Sequence, residues 1–171
     1  MKKVFLALFI VLIFTPTAMA NVIGQYEISL TEATTPESAL NACLAGLYLN
    51  QTIVQPGEEF SFNRTVGERL AERYFVLAPI ASRNKQTIYD YGGGICMTAG
   101  ILHQAVKAAG LEVVERNDHV IRVRYLPPGE DAAITWGYQD FRFKNSLDKS
   151  ICLNTVIHSD SLKIEIREVV Q

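Results

Sequence analysis

The architecture turns on Gly92-Gly93-Gly94-Ile95-Cys96 and the apolar run that follows it to Gly110. From Cys96 to Ala109, the residues Ala99, Leu102, Ala105, Val106 and Ala109 recur on one side of a helix, and Gly110 supplies its stop. Before the glycines, Asn84-Lys85 reads as the tip of a hairpin joining Tyr74–Ile80 to Thr87–Tyr91. Further upstream, Gln55 to Glu58 is a turn. Glu58 to Phe62 predicts a short strand with Phe60 and Phe62 on one face, and Asn63 to Gly67 a turn. Thr34-Thr35-Pro36-Glu37 opens a second helix that runs to Leu49, with Pro early and Glu in the first turn. Cys43 sits on its apolar face. Val22 to Leu30 reads as a strand. Downstream of Gly110, strands are expected at Leu111–Glu115, Val120–Tyr125, Ala132–Trp136, Asp140–Lys144, Ser150–His158 and Leu162–Val169. Asn117-Asp118, Pro127-Pro128-Gly129 and Asp160-Ser161 mark turns between them. The class is α+β, with two main helices and a mostly antiparallel sheet. No repeat or linker divides residues 21–171, which form one domain.

Residues 1–20 stand apart. Lys2 and Lys3 precede an apolar run from Val4 to Phe14, and Ala18-Met19-Ala20 is a small-x-small cleavage site. This is the pattern of a secretory signal peptide. The run is shorter than the ~20 residues a spanning helix needs, so no stable membrane span is expected after cleavage. The chain is then exported, to a periplasm or beyond, in a bacterial envelope. The 171 residues are 49% hydrophobic and 20% charged with a net charge of −2, which fits a globular protein and not a disordered one. Without a basic excess, binding to duplex nucleic acid through phosphate neutralisation is excluded as a leading role.

Export gives the three cysteines, Cys43, Cys96 and Cys152, an oxidising setting in which one pair can bridge and one thiol is left over. Cys96 carries the chemistry. It falls in the first turn of a helix, where the helix dipole favours an anion and so a thiolate. Nearby backbone N–H groups can hold an oxyanion. His119 is the candidate base, and Asp131 or Asp140 the acid that orients it. Cysteine at a helix start, histidine on a strand and acid on the next strand resembles the order in papain-like and transglutaminase-like enzymes. The competing reading makes the glycines a steric device and Cys96 a small buried residue. His103 lies ~10 Å along the helix from Cys96 and cannot reach it, and His158 has no clear partner. The histidines and cysteines lack zinc-ligand spacing, and no Lys-Ser/Thr follows the glycines. Neither a metal nor another cofactor is therefore expected.

Several motifs in one order resemble the VanW family. They are Pro56-Gly57-Glu58-Glu59-Phe60-Ser61-Phe62-Asn63, Gly67-Glu68-Arg69, Gly92-Gly93-Gly94-Ile95-Cys96, and Gly110 to Arg116. His119, Tyr125-Leu126-Pro127-Pro128-Gly129, Asp131-Ala132 and Asp140 to Asn145 continue them. The resemblance covers about residues 50–145. It implies a role at the bacterial cell envelope, the family taking its name from vancomycin-resistance gene clusters, and it implies no established reaction. The chain departs from the family pattern at Met97, where Gln is usual, at Ala99 in a run usually rich in hydroxyls, at Val120, where Ser is common, and at Glu130, where a basic residue is frequent. Arg69 and Tyr125 join the glycines as supporting motif residues. Cys43 and Cys152 lie outside these motifs. One arrangement pairs them and leaves Cys96 free, a bridge that would contribute about 3–5 kcal/mol; the other pairs Cys96 and removes the nucleophile.

Two functions follow from this reading. The first is a cysteine-dependent acyl-transfer or amide-hydrolysing enzyme acting on peptidoglycan peptides. The second is a non-catalytic envelope module that binds wall peptide or a partner protein. In the second, Tyr89, Tyr91, Trp136 and Tyr138 form an aromatic surface, and Arg116, Arg122 and Arg124 engage carboxylates.

Overall fold

The computed structural model of the protein describes residues 21–80 and 86–170. In chain order the elements are β1 (Val22–Ser29), α1 (Pro36–Leu49), β2 (Thr52–Val54), β3 (Glu59–Ser61), α2 (Phe62–Val66), β4 (Leu77–Ile80) and β5 (Ile88–Tyr91). Then come α3 (Ile95–Ala108), β6 (Glu112–Glu115), β7 (Arg142–Lys144), β8 (Ile151–Ile157) and β9 (Ser161–Glu168). Every strand pair among the described residues is antiparallel, so the class is α+β as expected. The strands divide into three sheets: β1-β9-β8-β2, β3-β7-β6 and the β4-β5 hairpin.

Local chemistry sets the helix starts. Thr35 caps α1, its hydroxyl accepting the Ser38 N–H at 3.2 Å, with Pro36 in the first turn. α1 and α3 pack against each other and against the four-stranded sheet. Two glycines allow the close approach. A side chain at Gly24 of β1 would strike the Ala105 carbonyl of α3, and one at Gly46 of α1 would strike Thr155 of β8. The core holds Leu49, Ile101, Leu102, Ile151, Leu162, Ile164 and Ile166. It continues into an aromatic layer where Phe60 and Phe143 stack at 4.9 Å, with Phe141 beside Phe143 at 6.2 Å.

Five expectations are corrected. Phe62 does not continue the strand with Phe60. Ser61 accepts the Arg64 N–H at 3.1 Å and starts α2 at Phe62, so both phenylalanines are buried on different elements. The turn expected over Asn63–Gly67 is this helix, ended by Gly67 at φ 74°. Val120–Tyr125 is irregular, not a strand. Val120 and Ile121 are exposed and no neighbouring strand offers a partner, so only Val123 and Tyr125 pack, partly buried, against the core. Ala132–Trp136 is extended but pairs only through the isolated bridge Thr135–Gln139. Ser161 begins β9 and is not part of a turn.

The Asn84-Lys85 tip and the signal peptide at 1–20 fall outside the described residues. Among the described residues, no helix is long and apolar enough to cross a membrane.

Candidate active site

Three backbones converge where α3 begins. Gly94 has φ 107°, and a Cβ there would lie 2.3 Å from the Ser38 carbonyl oxygen of α1. Only glycine fits both constraints. Asn41 of α1, fully buried, donates from Nδ2 to the carbonyls of Val76 and Gly93, each at 2.9 Å. Its Oδ1 accepts the Val76 N–H at 2.9 Å. Thr98 donates to the Ala42 carbonyl at 2.7 Å. These bonds lock the helix start in place. The steric reading of the glycines is therefore correct, and what the packing positions is Cys96. Neither Asn41 nor Thr98 was singled out from sequence. The available signal was a polar side chain among the apolar residues of each helix.

Cys96 is half-buried. Its sulfur accepts the Ile134 N–H at 3.4 Å and lies 3.8 Å from the Ile134 carbonyl oxygen. His119 reaches the same place from the irregular segment after β6. Its Nδ1 lies 2.5 Å from Asp131 Oδ2, and the same oxygen accepts the His119 backbone N–H at 3.0 Å. With Nδ1 on Asp131, the other ring nitrogen is not taken by that carboxylate, and Cys96 lies near enough to act on the imidazole electrostatically. Both side chains are largely buried, at 12% and 7% exposure. Burial disfavours charge on His119, but the hydrogen bond and charge of Cys96, and then those of Asp131, hold its pKa up at about 9. Burial likewise opposes charge on Asp131, and the two bonds from His119 bring it below the ordinary carboxylate value. The arrangement brings a thiol, an imidazole and a carboxylate together, electrostatically disposed to hold an imidazolium.

The two candidate acids separate. Asp131 meets the imidazole. Asp140 instead accepts the Ser61 hydroxyl at 2.5 Å and the N–H groups of Asn63 and Phe141 at 2.8 and 2.9 Å, and so shapes the start of α2. His103 is also outside the cluster. Its Nδ1 lies 3.0 Å from the Glu130 carbonyl oxygen and its ring packs edge-on to Phe141, with burial lowering its pKa. His158 follows β8 at the exposed turn into β9.

The neighbours explain the motif residues. Tyr125 and Leu126 pack over Gly100, one helical turn beyond Cys96. Burial, and then the charges of Cys96 and Asp131, push the Tyr125 hydroxyl well above its usual range, so it stays neutral. Arg116 donates to the Asp131 carbonyl at 2.8 Å and to the Asp118 carboxylate at 2.5 Å. It therefore steadies the loop that carries the acid. Glu130 pairs with Lys107 and accepts from Gln104 at 2.8 Å, clamping the same loop to α3. Met97 is buried in the core, and its thioether carries no donor for the site. Ile95 and Met97 have already committed their N–H groups to the Gly92 and Gly94 carbonyls, at 3.1 and 3.0 Å. A groove of about 330 Å³ lies alongside, lined by His119, Asp131, Val120, Ile121 and Arg122 among others.

All three cysteines are free thiols. Cys43 is on α1. Cys152 is on the face of β8 opposite Leu153 and Thr155, which turn toward the core and α1. No bridge joins Cys43 to Cys152 in this structure. Burial raises the pKa of both thiols. Among the described residues, no group of three or more His, Cys, Asp or Glu side chains is placed to hold a metal ion.

The sequence model of the family described as VanW like protein matches residues 37–167. The chain is 34% identical to the uncharacterized protein YoaR of Bacillus subtilis over 84% of its own length and 47% of YoaR. It is 29% identical to the vancomycin B-type resistance protein VanW of Enterococcus faecalis, over 63% of its own length and 41% of that protein. The chain thus spans less than half of either relative. No solved structure matches it.

Proposed function

The chain belongs to the VanW-like family, and from that premise we propose that it is a cysteine-dependent acyl-transfer or amide-hydrolysing enzyme. The observation that carries this is the Cys96–His119–Asp131 cluster, in which Asp131 engages His119 Nδ1 and Cys96 favours the charged imidazole. Cys96 attacks the carbonyl carbon of an amide. The C–S bond forms, the carbonyl electron pair moves to oxygen, and the imidazolium gives its proton to the departing amine as the C–N bond breaks. Water or a second amine then attacks the thioester, loses its proton to His119 and releases the thiolate. Peptide stems of the bacterial wall are the proposed substrate class and the envelope the proposed location. The signal-peptide pattern of residues 1–20 supports the location. The resistance named for the Enterococcus relative is consistent with both.

The test is the rate of Cys96 alkylation against pH, with mass spectrometry to place the label. Reaction well below the unperturbed thiol pKa of ~8.5 supports an activated thiolate, and an inert Cys96 overturns the reading. Cys96→Ser should then abolish turnover of wall peptides with little change in melting temperature.

One observation favours a second reading, a non-catalytic wall-binding module. Tyr89, Tyr91, Trp136 and Tyr138 are all exposed. Binding to isolated wall material that survives Cys96→Ala and fails when these aromatics are removed would favour it.

A further inference from the structure

Arg69 is 8% exposed, yet its Nε and Nη1 have no hydrogen-bond partner among the described residues. A guanidinium is always charged at physiological pH and rarely buried without an anion. Here only Nη2 is engaged, donating to Asn63 Oδ1 at 2.7 Å. The stem crosses Gly92, where a Cβ would lie 2.5 Å from Arg69 Cγ. The head sits 5.9 Å from the centre of the Phe62 ring and 5.7 Å from that of Trp136. Asp140, a carboxylate whose charge reaches Arg69, accepts instead from Ser61, Asn63 and Phe141 and takes no hydrogen bond from Arg69 Nε or Nη1.

The same two segments that hold Arg69 also hold Cys96. Gly92 opens the turn that leads into Cys96, and Trp136 follows by two residues the Ile134 whose backbone touches the sulfur. We propose that Arg69 is a carboxylate-binding residue of the Cys96 site, so that the substrate carries a free carboxylate close to the bond acted upon. This rests on the reading of Cys96 as a nucleophile. Planar guanidinium N–H donors match a carboxylate, and a buried pairing of this kind selects strongly against neutral analogues.

The probes are iodoacetate, which carries a carboxylate, and iodoacetamide, its neutral counterpart. Both alkylate a thiolate by displacing iodide. Cys43 and Cys152 are internal controls in the same folded protein. The expected result is an iodoacetate-to-iodoacetamide rate ratio at Cys96 about tenfold above that at Cys152, with saturation by iodoacetate. Acetate should protect Cys96 from iodoacetamide and leave Cys152 unprotected. Arg69→Gln should bring the ratio at Cys96 to that of Cys152, and Arg69→Lys should restore part of it. Equal ratios at Cys96 and Cys152 in the unmodified protein, with a reactive Cys96, overturn the carboxylate site while the nucleophile stands. A preference that survives Arg69→Gln in a folded variant also overturns it. If Arg69→Gln slows both reagents alike, Arg69 serves only the thiolate's electrostatics and the proposal fails. A Cys96 inert to both reagents removes the nucleophile, and the carboxylate site with it. The ratio and the protection by acetate are read on the unmodified protein and do not depend on either variant folding.

Discussion

Replacing Asp140 by alanine should damage the fold and spare the chemistry. The carboxylate accepts three hydrogen bonds, from the Ser61 hydroxyl and from the N–H groups of Asn63 and Phe141. Phe141 is fully buried, so its amide would be stranded without water, at about 1–3 kcal/mol. Asn63 and Ser61 are only partly buried and can turn to solvent, so each loses about 0.5–1.5 kcal/mol. Together the loss is about 4 kcal/mol, which for a chain of this size lowers the melting temperature by roughly 8–16 °C. The assay is thermal melting by circular dichroism alongside the pH profile of Cys96 alkylation. The melt should move and the profile should not. A variant that melts like the parent but has lost the low-pH reactivity of Cys96 would refute the assignment of Asp131, rather than Asp140, to the imidazole.

Three other outcomes follow from the same geometry. Asp131→Asn should bring the His119 pKa down from about 9 toward its ordinary value, because the carboxylate charge is gone; NMR titration of the ring protons reads this, and an unmoved titration contradicts it. Glu165 is opposed by burial but held at about 2 by Lys163, Arg167 and Asn154. A depressed carboxylate stabilises the fold fully above its unfolded value of 4.5, and that contribution is lost as pH falls through about 2. The stability gap between the parent and Glu165→Gln should therefore narrow from pH 6 to pH 2, as measured by urea melts. Gly94→Ala combines a left-handed φ with a collision against the Ser38 carbonyl and should cost about 3 kcal/mol or more in urea unfolding. A neutral effect there would remove the packing argument for the glycine run.

Much of the helix pattern was legible because its causes are local. Thr35-Pro36 and the apolar spacing up to Leu49 defined α1, and Gly94 and Gly110 bracket α3. Cys96 could be placed in a first turn for the same reason. Alternation misled where burial was absent. Val120 to Tyr125 alternates like a strand, but no neighbouring strand takes it up, and it continues the irregular segment that begins after β6 and carries His119. Phe60 and Phe62 share a strand parity, but the hydroxyl of Ser61 caps a helix between them.

The sequence by itself determined the α+β class, the two long helices, the candidate thiol, imidazole and carboxylates, and the likeness to a known family. These depend on propensity, capping and motif order, all of which act over a few residues. Only the tertiary structure decided between Asp131 and Asp140, because that choice depends on which carboxylate the folded chain leaves free to accept from His119. The same holds for the placement of the three thiols, which lie on three different elements of the folded chain. It holds also for the isolation of Arg69, since whether a charge is partnered is settled by the segments around it, here residues distant in sequence that close over a single guanidinium.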